Sequence, residues 1–130
     1  MVLGRLDYLY TPSDDVAGDL RYLVEVLGGE VGFAISDGGT RVAMVTFEGP
    51  PAILLADHLQ GDRPIYVYAV ADLPTATATL ESHGWSRERA VELPPGPAAT
   101  FRTPSGIRMA IYQPTRPFVV ESFRGRHDFA

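Results

Sequence analysis

The sequence predicts an α+β fold: two βαβββ modules forming curved mixed sheets around a cup, with the helices outside. Strand-like stretches rich in β-branched and aromatic residues outnumber helical ones. The order strand, helix, strand, strand, strand runs through twice, with a boundary near Gly61 and Asp62. A period of about sixty residues built of unlike elements marks a duplicated half-domain, not a solenoid repeat. One domain over 1–130 is therefore expected, with modules at 5–60 and 61–114 and a C-terminal segment at 115–130.

The elements follow in order. Leu6 to Tyr10 reads as a strand, stopped by Thr11-Pro12. Ser13 or Asp14 caps the helix that follows, and Asp14 and Asp15 suit the positive end of its dipole. Val16, Leu20, Leu23, Val24 and Leu27 recur at helical spacing and make one apolar face, and Gly28-Gly29 closes it. Glu30 to Ser36, Arg41 to Glu48 and Pro51 to His58 read as strands, with Asp37-Gly38-Gly39 as a hairpin turn. In the second copy Ile65 to Val70 is the strand and Asp72 caps a helix that tolerates Pro74 in its first turn. Leu73, Ala76 and Leu80 give that helix its buried face, with Tyr66 and Tyr68 expected beneath it. Trp85 to Leu93, Ala98 to Thr103 and Ile107 to Gln113 supply three more strands, and Thr103-Pro104-Ser105-Gly106 turns the last hairpin.

Composition narrows the function. At 130 residues the chain buries enough surface to fold without a metal or disulfide. Cysteine is absent, which removes thiol nucleophiles and thiolate metal sites together. All eleven basic residues are arginine, so neither a Schiff-base lysine nor a Walker lysine exists. The net charge of −5, with arginines scattered and not striped, argues against nucleic acid as a partner. No apolar run reaches the ~20 residues of a membrane span, and Met1 to Leu6 lacks the pattern of a secretory signal. A cytoplasmic protein with a small-molecule ligand, and with neither nucleic acid nor membrane as partner, is the expectation.

Leu6-Asp7-Tyr8-Leu9, Val26-Leu27-Gly28-Gly29-Glu30-Val31 and Phe101 to Arg108 occur in an order that resembles the vicinal oxygen chelate superfamily. That superfamily comprises glyoxalases, extradiol dioxygenases and bleomycin- or fosfomycin-resistance proteins. The resemblance covers roughly residues 5 to 114 and implies a cup-shaped site with His or Glu metal ligands, one on each of four strands. This chain departs from that pattern: Tyr8, Leu54, Ile65 and Ala110 stand at the four positions. Their neighbours Leu9, Tyr66, Met109 and Ile111 cannot replace imidazole or carboxylate donors. No metal or other cofactor is expected.

His83 and His127 read as a helix-end residue and a tail residue. His58 beside Asp57 is the one close carboxylate–imidazole pair, but strand neighbours point to opposite faces. Tyr8 and Tyr10 share one strand face, as do Arg108, Ala110 and Tyr112. Tyr8, Tyr10, Arg108 and Tyr112 are thus the candidate ligand-binding residues, fitted to a flat, partly aromatic, anionic compound. Two readings stay open: a metal-free binding protein of the bleomycin-resistance type, and an enzyme of the superfamily with a noncanonical or metal-independent site. Phe118, Val119, Val120, Phe123 and Phe129 give the C-terminal segment much apolar surface. A homodimer with that segment in the contact is expected, its own subunit being the competing partner. Thermal melts with and without EDTA should coincide, and a drop of several degrees with chelator would contradict the missing donors.

Overall fold

The computed structural model describes residues 2–130. It contains eight strands and three helices among the described residues, an α+β arrangement of two βαβββ modules. The chain divides into two compact units, one of Tyr8–Pro64 with Phe123–Ala130, the other of Ile65–Ser122 with the residues up to Asp7.

The first unit holds β1 (Leu6–Pro12, its first two residues lying in the other unit), α1 (Val16–Glu25), β2 (Glu30–Asp37), β3 (Thr40–Phe47) and β4 (Gly49–Ala56). Its strands lie in the order β2-β3-β4-β1. The β1–β4 pair is parallel and the other pairs are antiparallel, so the sheet is mixed. Asp15, one residue later than expected, caps α1 by accepting from the Gly18 amide at 3.0 Å. A Cβ at Gly18 would stand 2.2 Å from Asp15 Oδ2, so a larger residue there would make the capping carboxylate shift. Buried Ser13 instead donates to Asp19 at 2.6 Å. Gly28, at φ 80°, lets the chain leave the helix. Val16 and Leu20 pack on Ala34, Ala43, Val45 and Leu55, with Leu23, Val24, Val31 and Ile53 around them. Leu20 is 2 % exposed, and burying such a side chain stabilises the module by ~1.5–3 kcal/mol.

The second unit repeats the plan with β5 (Ile65–Ala69), α2 (Leu73–Glu81), β6 (Arg89–Leu93), β7 (Gly96–Arg102) and β8 (Arg108–Tyr112), in the order β5-β8-β7-β6. Asp72 caps α2 through the amide and hydroxyl of Thr75 at 2.9 and 2.5 Å. Val70, Ala76, Ala99, Phe101 and Ile111 form the core, joined by Tyr68, Leu73, Leu80, Trp85 and Met109. Tyr68 thus lies beneath α2 as expected, while Tyr66 is 39 % exposed. Trp85 to Glu88 is not a strand. The Trp85 ring turns into the core against Phe101, with centroids 5.4 Å apart at 72°; the Glu88 amide donates to Thr100 at 2.7 Å, and the strand runs from Arg89.

The C-terminal segment docks on its own chain. Arg116 fastens its start by donating to Glu92 and to the carbonyl of Leu93 at 2.7 and 2.9 Å. A short helix unforeseen in the sequence, α3 (Pro117–Phe123), follows. Residues 123–129 then lie along the outer edge of β2 in the first unit. The Gly125 amide donates to Gly32 at 3.0 Å, the Ala34 amide to Arg126 at 2.7 Å, and the Asp128 amide to Ala34 at 2.7 Å. Asp128 also accepts from the Ser36 amide at 3.0 Å. Phe123 meets Phe33 edge-on at 5.6 Å, while Phe129 joins the α1 core beneath the Arg41 guanidinium at 4.8 Å. Phe123 and Phe129 of the segment thus pack on the β2 unit of their own chain, while Phe118 stays 66 % exposed. An unpaired sheet edge invites aggregation, and the segment covers it. Replacing half-buried Phe129 by alanine should cost about 2 kcal/mol in urea denaturation and speed exchange of the Ala34 and Ser36 amides. Unchanged stability would show that the segment does not belong to the first module's core.

Candidate functional site

Strand alternation decides which side chains each module offers. In the first module Ile53 and Leu55 of β4 face α1. Ala52, Leu54 and Ala56 therefore point to the opposite face. Tyr8 stands beside Ala52 and Tyr10 beside Leu54 in the parallel β1–β4 pair, so both tyrosines turn away from α1, as expected. The register continues across the sheet: Leu54 opposes Met44, and Met44 opposes Phe33. Tyr10, Leu54, Met44 and Phe33 thus form one row over four strands. Tyr8, Tyr10, Met44 and Leu54 are half-buried, while Phe33 is only 5 % exposed. A thioether between aromatic rings adapts its shape to a flat apolar partner.

Tyr10 also carries the one polar pairing on this row. Its hydroxyl and His58 Nε2 are 3.0 Å apart, and the rings meet at 64°. Burial pushes the phenol pKa above its ordinary 10.0, so the hydroxyl keeps its proton at neutral pH. It donates to His58 when the imidazole carries its proton on Nδ1. Asp57 is not part of this pair. Its carboxylate accepts from the Arg41 amide at 3.0 Å, which fixes the chain just before His58. Sequence reasoning set Asp57 aside as a partner of His58, and named no other. The tyrosine that meets it lies 48 residues away.

In the second module Met109 and Ile111 face α2. Arg108, Ala110 and Tyr112 therefore share the other face of β8, beside Val67 and Ala69 of β5 and Ala98, Thr100 and Arg102 of β7. Mostly small side chains make this floor, and Arg108 is half-buried at one end of it. Tyr112 is 3 % exposed and donates its hydroxyl to Asp7 Oδ2 at 2.5 Å. Asp7 also accepts from Arg5 at 2.6 Å. The Tyr112 phenol is thus a fixed wall, with its hydrogen committed to a carboxylate. Arg102 is held by Glu88 at 2.7 Å.

The family resemblance implies a metal, and the residues present do not fit one. Tyr8 and Leu54 lie on the face turned away from α1, and Ile65 and Ala110 on the face turned away from α2. These are the positions the resemblance assigns to the ligands, and they hold a phenol and three aliphatic side chains. Among the described residues no three His, Asp or Glu side chains gather closely enough to hold a metal.

The Tyr10 environment gives a pH prediction. A folded-state pKa above the ordinary 10.0 favours the protonated fold, so this contribution is complete below pH 10.0 and is lost as pH rises through the folded value. The stability difference between the wild type and Tyr10→Phe should therefore shrink from about pH 8 to about pH 11 in urea titrations. A constant difference over that range would contradict the buried, protonated phenol.

No family model matches the sequence, and a comparison with curated proteins finds none that matches. Solved structures do resemble it. The methylmalonyl-CoA epimerase of Mycobacterium tuberculosis aligns with a TM-score of 0.70 at 17 % identity over 90 % of this chain and 92 % of its own. A hypothetical protein of Bacillus halodurans C-125 gives 0.70 at 14 % identity, covering 84 % and 93 %. The methylmalonyl-CoA epimerase of Streptomyces coelicolor, in complex with 2-nitronate-propionyl-CoA, gives 0.70 at 14 % identity, covering 87 % and 96 %. At such identities the likeness concerns the course of the chain and not its chemistry. The duplicated modules, their mixed sheets and these structural neighbours together give this chain the vicinal oxygen chelate fold.

Proposed function

We propose that this chain is a metal-free binding protein that holds a small, planar, partly aromatic and weakly acidic compound without changing it. The observation that carries the reading is the half-buried row Tyr10–Leu54–Met44, ended by buried Phe33, with Tyr8 beside it, an apolar and aromatic surface on the face turned away from α1. Rings stacked on such a surface gain dispersion and burial. Tyr8 and Tyr10 are the proposed stacking residues of the first module. Arg108 and Tyr112 are those proposed for the second, Arg108 meeting an acidic group by a charge-assisted hydrogen bond and Tyr112 serving as a wall. The phenol and aliphatic residues at the four metal-ligand positions support the metal-free part.

One observation favours a second reading. Tyr10 and His58 at hydrogen-bond distance make a neutral acid–base pair, able to pass one proton between a bound carbon or oxygen acid and the imidazole. An enzyme of that kind would lose turnover in both Tyr10→Phe and His58→Gln, whereas a binding protein would keep its ligand in both.

The test is a melting-temperature screen of aromatic carboxylates and phenols against aliphatic neutrals, since a ligand at 100 times its Kd adds about 2.7 kcal/mol. Planar acids should raise the melting temperature, and Tyr8→Ala and Arg108→Ala should each weaken them by about tenfold. Hits unaffected by either substitution would overturn the residue assignment. One equivalent of Zn, Ni, Mn or Fe per purified chain would overturn the metal-free reading.

A further inference from the structure

The C-terminal segment does more than cover an edge. Phe33 ends the row Tyr10–Leu54–Met44–Phe33, on the outermost strand of the first module's sheet. Its ring meets the Phe123 ring at 5.6 Å and 66°. Phe33 belongs to the face turned away from α1, because its neighbour Ala34 lies in the α1 core. Phe123 therefore touches the candidate ligand surface at the end opposite His58, which bonds to Tyr10. The backbone behind it is fixed: Gly125 donates to Gly32, and the Ala34 amide and carbonyl bond to Arg126 and Asp128. Phe129 anchors the far end of the segment in the α1 core, across the sheet from Phe123. A side chain held on both sides in this way is placed by the fold and does not drift with the terminus.

We infer that Phe123 is a specificity-determining residue, an end wall that limits how far a flat ligand extends along the row from Tyr10 toward Phe33. The inference rests on the binding reading above and adds its size limit. A ring lying over Leu54 and Met44 is bounded by Tyr10 at one end of the row and by the Phe33–Phe123 edge contact at the other. The ligand class is then a short aromatic acid. Fused systems of greater length collide with Phe123.

The experiment uses the full chain and three probes of rising length: benzoate, naphthoate and anthracenecarboxylate, with affinities from isothermal calorimetry. The wild type should prefer the shorter probes. Phe123→Ala should shift the affinity ratio toward anthracenecarboxylate by about tenfold or more, and Phe123→Trp should shift it the other way. The Trp variant keeps the aromatic contact with Phe33, so it reports even where the Ala variant unfolds. Phe129→Ala loosens the segment from the α1 side only, and should shift the ratio far less than Phe123→Ala, since the Phe33 contact and the β2 hydrogen bonds still hold the Phe123 ring. Wild-type binding with the same ratio in the Ala and Trp variants overturns the end wall and leaves the binding reading standing. A Phe129→Ala shift as large as that of Phe123→Ala also overturns it, because docking of the segment and not the Phe123 ring would then set the limit. No binding of any probe by wild type or variants overturns the binding reading and the end wall together.

Discussion

Each four-stranded sheet has one helix to cover it, and one helix covers one face. α1 takes Ala43, Val45, Ile53 and Leu55; α2 takes Ala99, Phe101, Met109 and Ile111. Strand alternation then sends the intervening residues to the opposite face whether or not anything apolar awaits them. In the first module those residues include Tyr8, Tyr10, Phe33, Met44 and Leu54. In the second they are mostly small, with Arg108 and Tyr112 among them. The candidate chemistry of this protein is what the helices leave over.

The same constraint leaves sheet edges to protect. On β2 the protection comes from residues 123–129, which satisfy backbone groups of Gly32, Ala34 and Ser36 and place one phenylalanine on either side of the sheet. Hydrogen bonds of this kind net only ~0.5–1.5 kcal/mol each. The two half-buried rings add a comparable amount through burial. Edge protection and the composition of the ligand face are thus tied to one short segment.

Polar groups on these faces are few and paired. Tyr112 is tied to Asp7, Arg102 to Glu88, and Tyr10 to His58. A buried hydroxyl without a partner costs about 1–3 kcal/mol, which accounts for the short Tyr112 bond in a residue so thoroughly enclosed. The Tyr10–His58 pair differs because His58 is exposed while Tyr10 is half-buried.

The amino-acid sequence by itself determined the duplicated order of elements, the two Asp- or Ser-type helix starts, the apolar face of α1, and the facing of Tyr8 and Tyr10 and of Arg108 and Tyr112. Those features are local: caps, turns and periods of 3.6 or 2 act between residues a few positions apart. That Tyr8, Leu54, Ile65 and Ala110 stand where the superfamily carries its ligands followed from the family resemblance and not from a local rule. Tertiary structure decided the rest. Tyr10 with His58, Asp7 with Tyr112 and Phe33 with Phe123 are separated by 48, 105 and 90 positions, and no local rule pairs them. Trp85 lies outside the strand pattern, its ring turned against Phe101 in the α2 core. The C-terminal apolar run was visible as a surface needing a partner. That Phe123 and Phe129 of this run meet the edge of β2 depends on which strand the sheet order leaves unpaired, and only the folded chain sets that order.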